Sequence, residues 1–248
     1  YANGATRAIS TGLRHLEGFH HHALTSDSSI TNAGTLYAVG NLNANAAGAI
    51  SQTGALLAVG DTLVAGLSGR LVGLNPDNGA VRWEVPVATS RGTNEVERLV
   101  DIVGPVSRIG GSVCGRAYSA AVGCVDASRG TLAWTKGAQG TTGVHGDDRL
   151  LFGSEADGRF VAWQRATGEP AWSIDRLKYR GLSAPLALGR VVAVGDSRGL
   201  VHLVSREDGS EMTRLTTDGS AIEAPPVLAG DALVVQTRNG GVFAWRPQ

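Results

Sequence analysis

One phrase recurs along the chain at a spacing that few architectures permit. It reads DNGAVRW at Asp77–Trp83, SRGTLAW at Ser128–Trp134 and ATGEPAW at Ala166–Trp172: a polar turn, a glycine, then a tryptophan four residues later. The turn glycines Gly79, Gly130, Gly168 and Gly209 lie 51, 38 and 41 residues apart. A period of about 40–50 residues belongs to propellers and solenoids, whose units bury their faces only against one another. Ten residues before each of these glycines stands another small residue, Gly69, Ala120, Gly158 and Gly199, and Gly240 opens a last unit running to Gln248. That interval leaves room for about one six-residue strand, as in consecutive hairpins.

A further apolar segment lies upstream of each unit: DTLVAG, GSVCGRA, DRLLFGS, RVVAVGD and DALVVQT. Prolines in GPVSRIGG, SAPLALGR and APPVLAGD introduce three units, where a strand start tolerates the missing N–H. Each unit therefore reads as a leading strand, two strands joined by a tight turn, and a fourth carrying the tryptophan. Four antiparallel strands per unit make an all-β propeller blade. A large ring near the end of the outer strand can pack on the next blade while its N–H finds a carbonyl, the blade-docking role assigned to Trp83, Trp134 and Trp172. Thr213 holds that place in EDGSEMTRL, so the fourth contact is expected to be weaker. Trp163 and Trp245, earlier in their units, read as packing residues.

Composition narrows the function. Twenty-two basic residues balance 22 acidic ones, so no global field draws the chain to nucleic acid or an anionic membrane. No apolar run approaches the roughly 20 residues of a membrane-spanning helix. There is no G-x-S-x-G elbow, phosphate-binding loop, dinucleotide fingerprint or pair of metal-spaced cysteine motifs, and His145 and His202 stand isolated. No catalytic residue, metal ligand or cofactor is assigned. His20, His21 and His22 lack an acidic or cysteine partner at ligand spacing and read as a solvated loop.

Cys114 and Cys124 fall on the two strands of one hairpin. A three-residue loop centred near Ser119 sets them opposite each other, whereas a two-residue loop at Ser119 and Ala120 sends them to opposite faces. A disulfide suits an oxidising compartment; two buried free thiols are the alternative.

The docking phrase resembles the tryptophan repeat of eight-bladed quinoprotein dehydrogenases. It resembles more closely BamB, the family of β-propeller lipoproteins in the bacterial outer-membrane β-barrel assembly machinery. The second likeness runs from about Ala55 to Gln248, most specifically through GTNEVERLVDIVGPV and the blade order ending SAPLALGRVVAVGDSRGLVHLVSREDG and EAPPVLAGDALVVQTRNGGVFAW. It implies an eight-bladed propeller, of which this chain supplies about four and a half blades. Unpaired edges are an aggregation hazard, so closure would need a lost N-terminal half, a second copy or residues 1–54. It also implies a non-enzymatic scaffold at the periplasmic face of the outer membrane, held there by an anchor absent from this chain. Its implied partners are the POTRA domains of BamA and unfolded outer-membrane proteins. The insertion TSRGTNEVERLVDI, Thr89–Ile102, exceeds a usual blade connection, and long connections often carry binding. The likeness places partner-binding residues at Glu95, Glu97, Arg98, Leu99 and Asp101. The family's second acidic position falls at Val103, and its other contact loop is replaced by AISQTG. A quinoprotein would need a polar cofactor pocket and usually a calcium site; the likeness to that family stops at the docking phrase.

Residues 1–54 form a separate segment, ahead of blades at 55–248. ATRAISTGLRHLEGF can form a short helix with Ile9, Leu13 and Leu16 on one face. From Ile30 a 20-residue echo follows: Ile30, Gly34, Leu36, Ala38, Val39 and Gly40 return as Ile50, Gly54, Leu56, Ala58, Val59 and Gly60. This resembles the repeats of filamentous-haemagglutinin-like adhesins, which fold as parallel β-helices. The competing reading is an adhesin-like structural repeat protein, with a divergent blade, a fusion, a foreign segment or coincidental strand similarity as further alternatives.

Overall fold

The computed structural model describes residues 61–88 and 101–246, and before them the strands Ala23–Ser26, Ile30–Asn32, Leu36–Tyr37, Asn43–Ala46, Ile50–Gln52 and Leu56–Val59. Both the helix expected near Ile9–Leu16 and the histidine run lie outside the described residues.

Successive four-stranded antiparallel sheets follow one another in chain order. Blade one comprises Leu56–Val59, Thr62–Leu67, Arg70–Leu74 and Val81–Pro86. Blade two comprises Ile102–Ile109, Ser112–Ala117, Ala121–Asp126 and Thr131–Gly137. Blade three is His145–Gly146, Leu150–Ser154, Phe160–Gln164 and Pro170–Ile174, and blade four Leu186–Leu188, Val191–Gly195, Leu200–Ser205 and Glu211–Thr216. Blade five has three strands, Val227–Ala229, Ala232–Gln236 and Val242–Trp245. The middle strands are covered on both faces, which is why LLFGS and VVAVG read as unbroken apolar runs rather than alternating ones. Fourth strands are mostly exposed.

Hydrophobic packing is divided into four slabs, one between each pair of neighbouring blades. Between blades two and three, for example, Cys114, Val122, Cys124 and Trp134 meet Val144, Leu151, Val161 and Trp163. Similar slabs join blades one and two, three and four, and four and five.

Each tryptophan locks its slab through the turn that accompanies it in the sequence. The Trp83 ring fills the space a Cβ on Gly130 would need, Trp134 does the same at Gly168, and Trp172 at Gly209. These glycines also hold left-handed backbone, φ 65°, 73° and 71°, so two constraints demand glycine there. Trp134 donates its indole N–H to the Arg165 carbonyl at 2.7 Å, and Trp172 donates to the Arg206 carbonyl at 2.9 Å. The same two arginines reach back with their side chains. Arg165, buried, donates to Ser107 and Ser112 of blade two, and Arg206 donates to Asp147 of blade three at 2.9 Å. Burial lowers the Arg165 pKa to about 10, yet the guanidinium keeps its charge at neutral pH. The corresponding residue of blade two, three before its turn glycine, is Ala127, and the buried Trp83 indole nitrogen has no hydrogen-bond partner among the described residues.

A register shift recurs between the third and fourth strands of blades one to four and aligns each docking position with one residue opposite. Trp83 faces Gly73, Trp134 faces Cys124 and Trp172 faces Ala162. Thr213 faces Leu203, so in blade four the large and small residues have exchanged strands.

The hairpin between the second and third strands of blade two pairs Ala117 with Ala121, leaving a three-residue loop, Tyr118–Ala120. Cys114 and Cys124 are then direct partners, and a disulfide joins them inside the slab beside Trp134.

Ahead of blade one the chain pairs in parallel at a constant offset. Ala23 aligns with Asn43, Ile30 with Ile50 and Leu36 with Leu56. The 20-residue echo is thus a 20-residue stacking register. Because Leu56–Val59 is also the first strand of blade one, the sheet continues from the coil ladder into the blade.

Replacing Trp134 by alanine is expected to cost about 3–5 kcal/mol, since it empties a slab and strands the Arg165 carbonyl. Thr213→Ala, at an exposed position, should stay within about 0.5 kcal/mol. Equilibrium denaturation checks the pair, and equal losses would contradict the docking assignment.

Candidate functional site

In blades one to four the turn between the second and third strands and the connection to the following blade lie at the same end of the sheets. This end carries the long insertion. On its near side, the N–H groups of Val87 and Ala88 donate to the carbonyl of Gly69, in the blade-one turn. On its far side, the Asp101 carbonyl accepts from Tyr118 N–H at 2.8 Å, in the blade-two turn. The described chain on either side of residues 89–100 is therefore hydrogen-bonded to these two turns. Asp101 is exposed beside them. The other expected partner-binding residues, Glu95, Glu97, Arg98 and Leu99, lie outside the described residues. Val103 is half-buried in the first strand of blade two, paired with Arg116.

Ionic networks buried beneath this end hold its turns. Arg116 is wholly buried, pairs with Glu155 at 3.2 Å and lies 5.6 Å from the Trp163 ring centroid. Desolvation lowers its pKa, and the Glu155 charge opposes that shift. Glu155 also accepts from Gln139 N–H, tying the blade-three turn to the preceding connection. One blade on, Asp196 occupies the matching turn. Its carboxylate accepts from His202 at 2.9 Å, Arg180 at 2.7 Å and the N–H groups of Arg198 and Leu200 at 2.9 Å. Burial acts to raise its pKa, but these donors outweigh it and hold the carboxyl far below the usual carboxylate range. His202, isolated in the sequence, is thus a core partner of Asp196. His145 is also satisfied: its Nδ1 accepts from Ala187 N–H, and burial, then the Arg165 charge, lower its pKa.

These networks lie beneath the turns of the loop end. Among the described residues no group of three or more histidine, cysteine, aspartate or glutamate side chains is placed to hold a metal ion. At the loop end, Leu67 and Tyr118 are exposed beside the blade-one and blade-two turns.

A sequence profile described as outer membrane protein assembly factor BamB matches residues 31–174, more than half of the chain. The chain belongs to the BamB family. The match begins at residue 31, within the segment ahead of Ala55. BamB of Burkholderia pseudomallei is 42% identical over 180 residues, covering 73% of this chain and 47% of that protein. BamB of Bordetella pertussis is 38% identical over 186 residues, covering 74% and 48%. In three dimensions the chain is similar to the crystal structure of BamB from Moraxella catarrhalis, with a TM-score of 0.72 and 29% identity over 79% of this chain and 59% of that one. The chain spans about half the length of the curated BamB proteins it matches.

Acid should expose the Asp196 network. Because its folded pKa lies below the unfolded value of 3.8, its stabilisation is complete above about pH 4 and disappears as the pH falls toward the folded value. Asp196→Asn should lower the melting temperature at pH 7 and flatten its decline between pH 5 and 2. A variant that keeps the wild-type acid slope would contradict this role.

Proposed function

We propose that this chain is a non-enzymatic scaffold of the outer-membrane β-barrel assembly machinery, working at the periplasmic face of the outer membrane. It presents its loop end to the POTRA domains of BamA and so assists the insertion of unfolded outer-membrane proteins. The hydrogen bonds that tie Val87, Ala88 and Asp101, the residues flanking 89–100, to the Gly69 and Tyr118 turns, in a BamB-family blade array, carry this reading. The partner surface comprises Glu95, Glu97, Arg98, Leu99 and Asp101. Long-range attraction is screened beyond about 8 Å at physiological salt, so these side chains act through direct contact. The blades, 55–248, form the scaffold unit and residues 1–54 a separate one.

The parallel ladders favour a second reading for that N-terminal unit: coils of a structural repeat of adhesin type, stacked at 20 residues per coil.

Reversing both charges, Arg98→Glu with Asp101→Arg, should weaken binding to purified BamA POTRA domains at least tenfold while the melting temperature stays unchanged. Normal binding would place the partner surface elsewhere, and an early melt would make the insertion structural.

A further inference from the structure

Three non-glycine residues among those described hold left-handed backbone: Ser68 (φ 47°), Ser119 (φ 47°) and Tyr179 (φ 61°). All three stand at the loop end. Such backbone persists where the surroundings over-determine it, and it concentrates at binding sites. Ser68 and Ser119 belong to the turns that anchor the insertion. Tyr179 belongs to neither. It sits in the connection from blade three to blade four, where its N–H donates to the Asp157 carbonyl and the next carbonyl, of Arg180, accepts from Ser197 N–H, both at 2.8 Å. Buried Leu177 fixes the loop from below. The connection is thus wedged between the turns of blades three and four, and it holds a tyrosine 88% exposed.

Each of those two turns carries an exposed arginine, Arg159 and Arg198. Among the described residues neither guanidinium forms an ion pair. The other cations nearby are engaged: Lys178 with Asp157 and Asp175, Arg180 with Asp196. We propose that Tyr179, flanked by Arg159 and Arg198, is a second docking point that takes an acidic segment of a protein partner. Tyrosine and arginine dominate interface hot spots, a rigidly held ring needs little ordering on binding, and free guanidinium groups match carboxylates in paired hydrogen bonds. A phospholipid surface is the poorer match. Lipid-binding segments cluster about four to eight basic residues, whereas here Asp157 and Asp175 interrupt the cations. The patch lies two blades beyond the insertion, and its assignment does not rest on the proposed BamA contact.

The full chain would be titrated by fluorescence anisotropy with a labelled peptide of alternating glutamate and leucine, and with the same peptide carrying glutamine for glutamate. The acidic peptide should bind at least tenfold more tightly than the glutamine peptide. Arg159→Glu with Arg198→Glu should weaken it at least tenfold, and Tyr179→Asn, which tolerates left-handed backbone, severalfold, with melting temperatures unchanged. Equal binding of the two peptides, or wild-type affinity in these variants, would overturn the proposal. So would failure to bind the acidic peptide alongside capture on phosphatidylglycerol vesicles that the arginine variants abolish. Neither probe involves BamA, so the outcome is separable from the POTRA measurement.

Discussion

The grip of a tryptophan on the turn of the following blade holds this structure together. A single blade is a small twisted sheet that cannot bury its own faces, so cohesion must come from the slabs between blades. At Trp134 and Trp172 three contacts converge: the ring replaces the Cβ of a left-handed glycine, the indole N–H bonds a carbonyl, and that carbonyl's own arginine reaches back into the preceding blade. One arginine thus serves as acceptor and donor across the same slab. Where Ala127 stands in its place, the ring still packs but the indole nitrogen has no partner among the described residues.

Rigid slabs let the loop end carry irregular features. Glu155, paired with Arg116, and Asp196, paired with His202 and Arg180, occupy matching turns of successive blades, the turns from which exposed side chains project. Charges so deeply buried contribute little net stability compared with apolar packing, but losing one partner would strand the other at high cost. They fix loop positions more than they add to cohesion. A recognition surface needs that kind of preorganisation, because ordering costs subtract from binding.

The blade plan was readable because its signals are local. Gly168 and Trp172, or Gly130 and Trp134, sit in one turn and the strand that follows it, and both are present in a single short phrase. The cysteine pairing depended on one loop length, which the Ala117–Ala121 pair decides. Thr213 broke the pattern, and the reason was visible ten residues earlier, where Leu203 supplies the bulk that the threonine lacks. What sequence reasoning missed is long-range: Arg116 meets Glu155 39 positions away, and Arg165 meets Ser107 58 positions away. A clue did exist in Arg165 and Arg206, each three residues before a turn glycine. Of the five expected partner residues, the structure describes Asp101 alone, at the root of the insertion.

Trading each docking tryptophan for phenylalanine keeps most of the ring and removes the indole N–H. At Trp134 and Trp172 this leaves a carbonyl without its donor, whereas at Trp83 no bond among the described residues is lost. Denaturant titration of the three variants should therefore show Trp134→Phe and Trp172→Phe about 1–3 kcal/mol more destabilised than Trp83→Phe. Equal losses at the three sites would contradict the claim that the arginine carbonyls lock the blades.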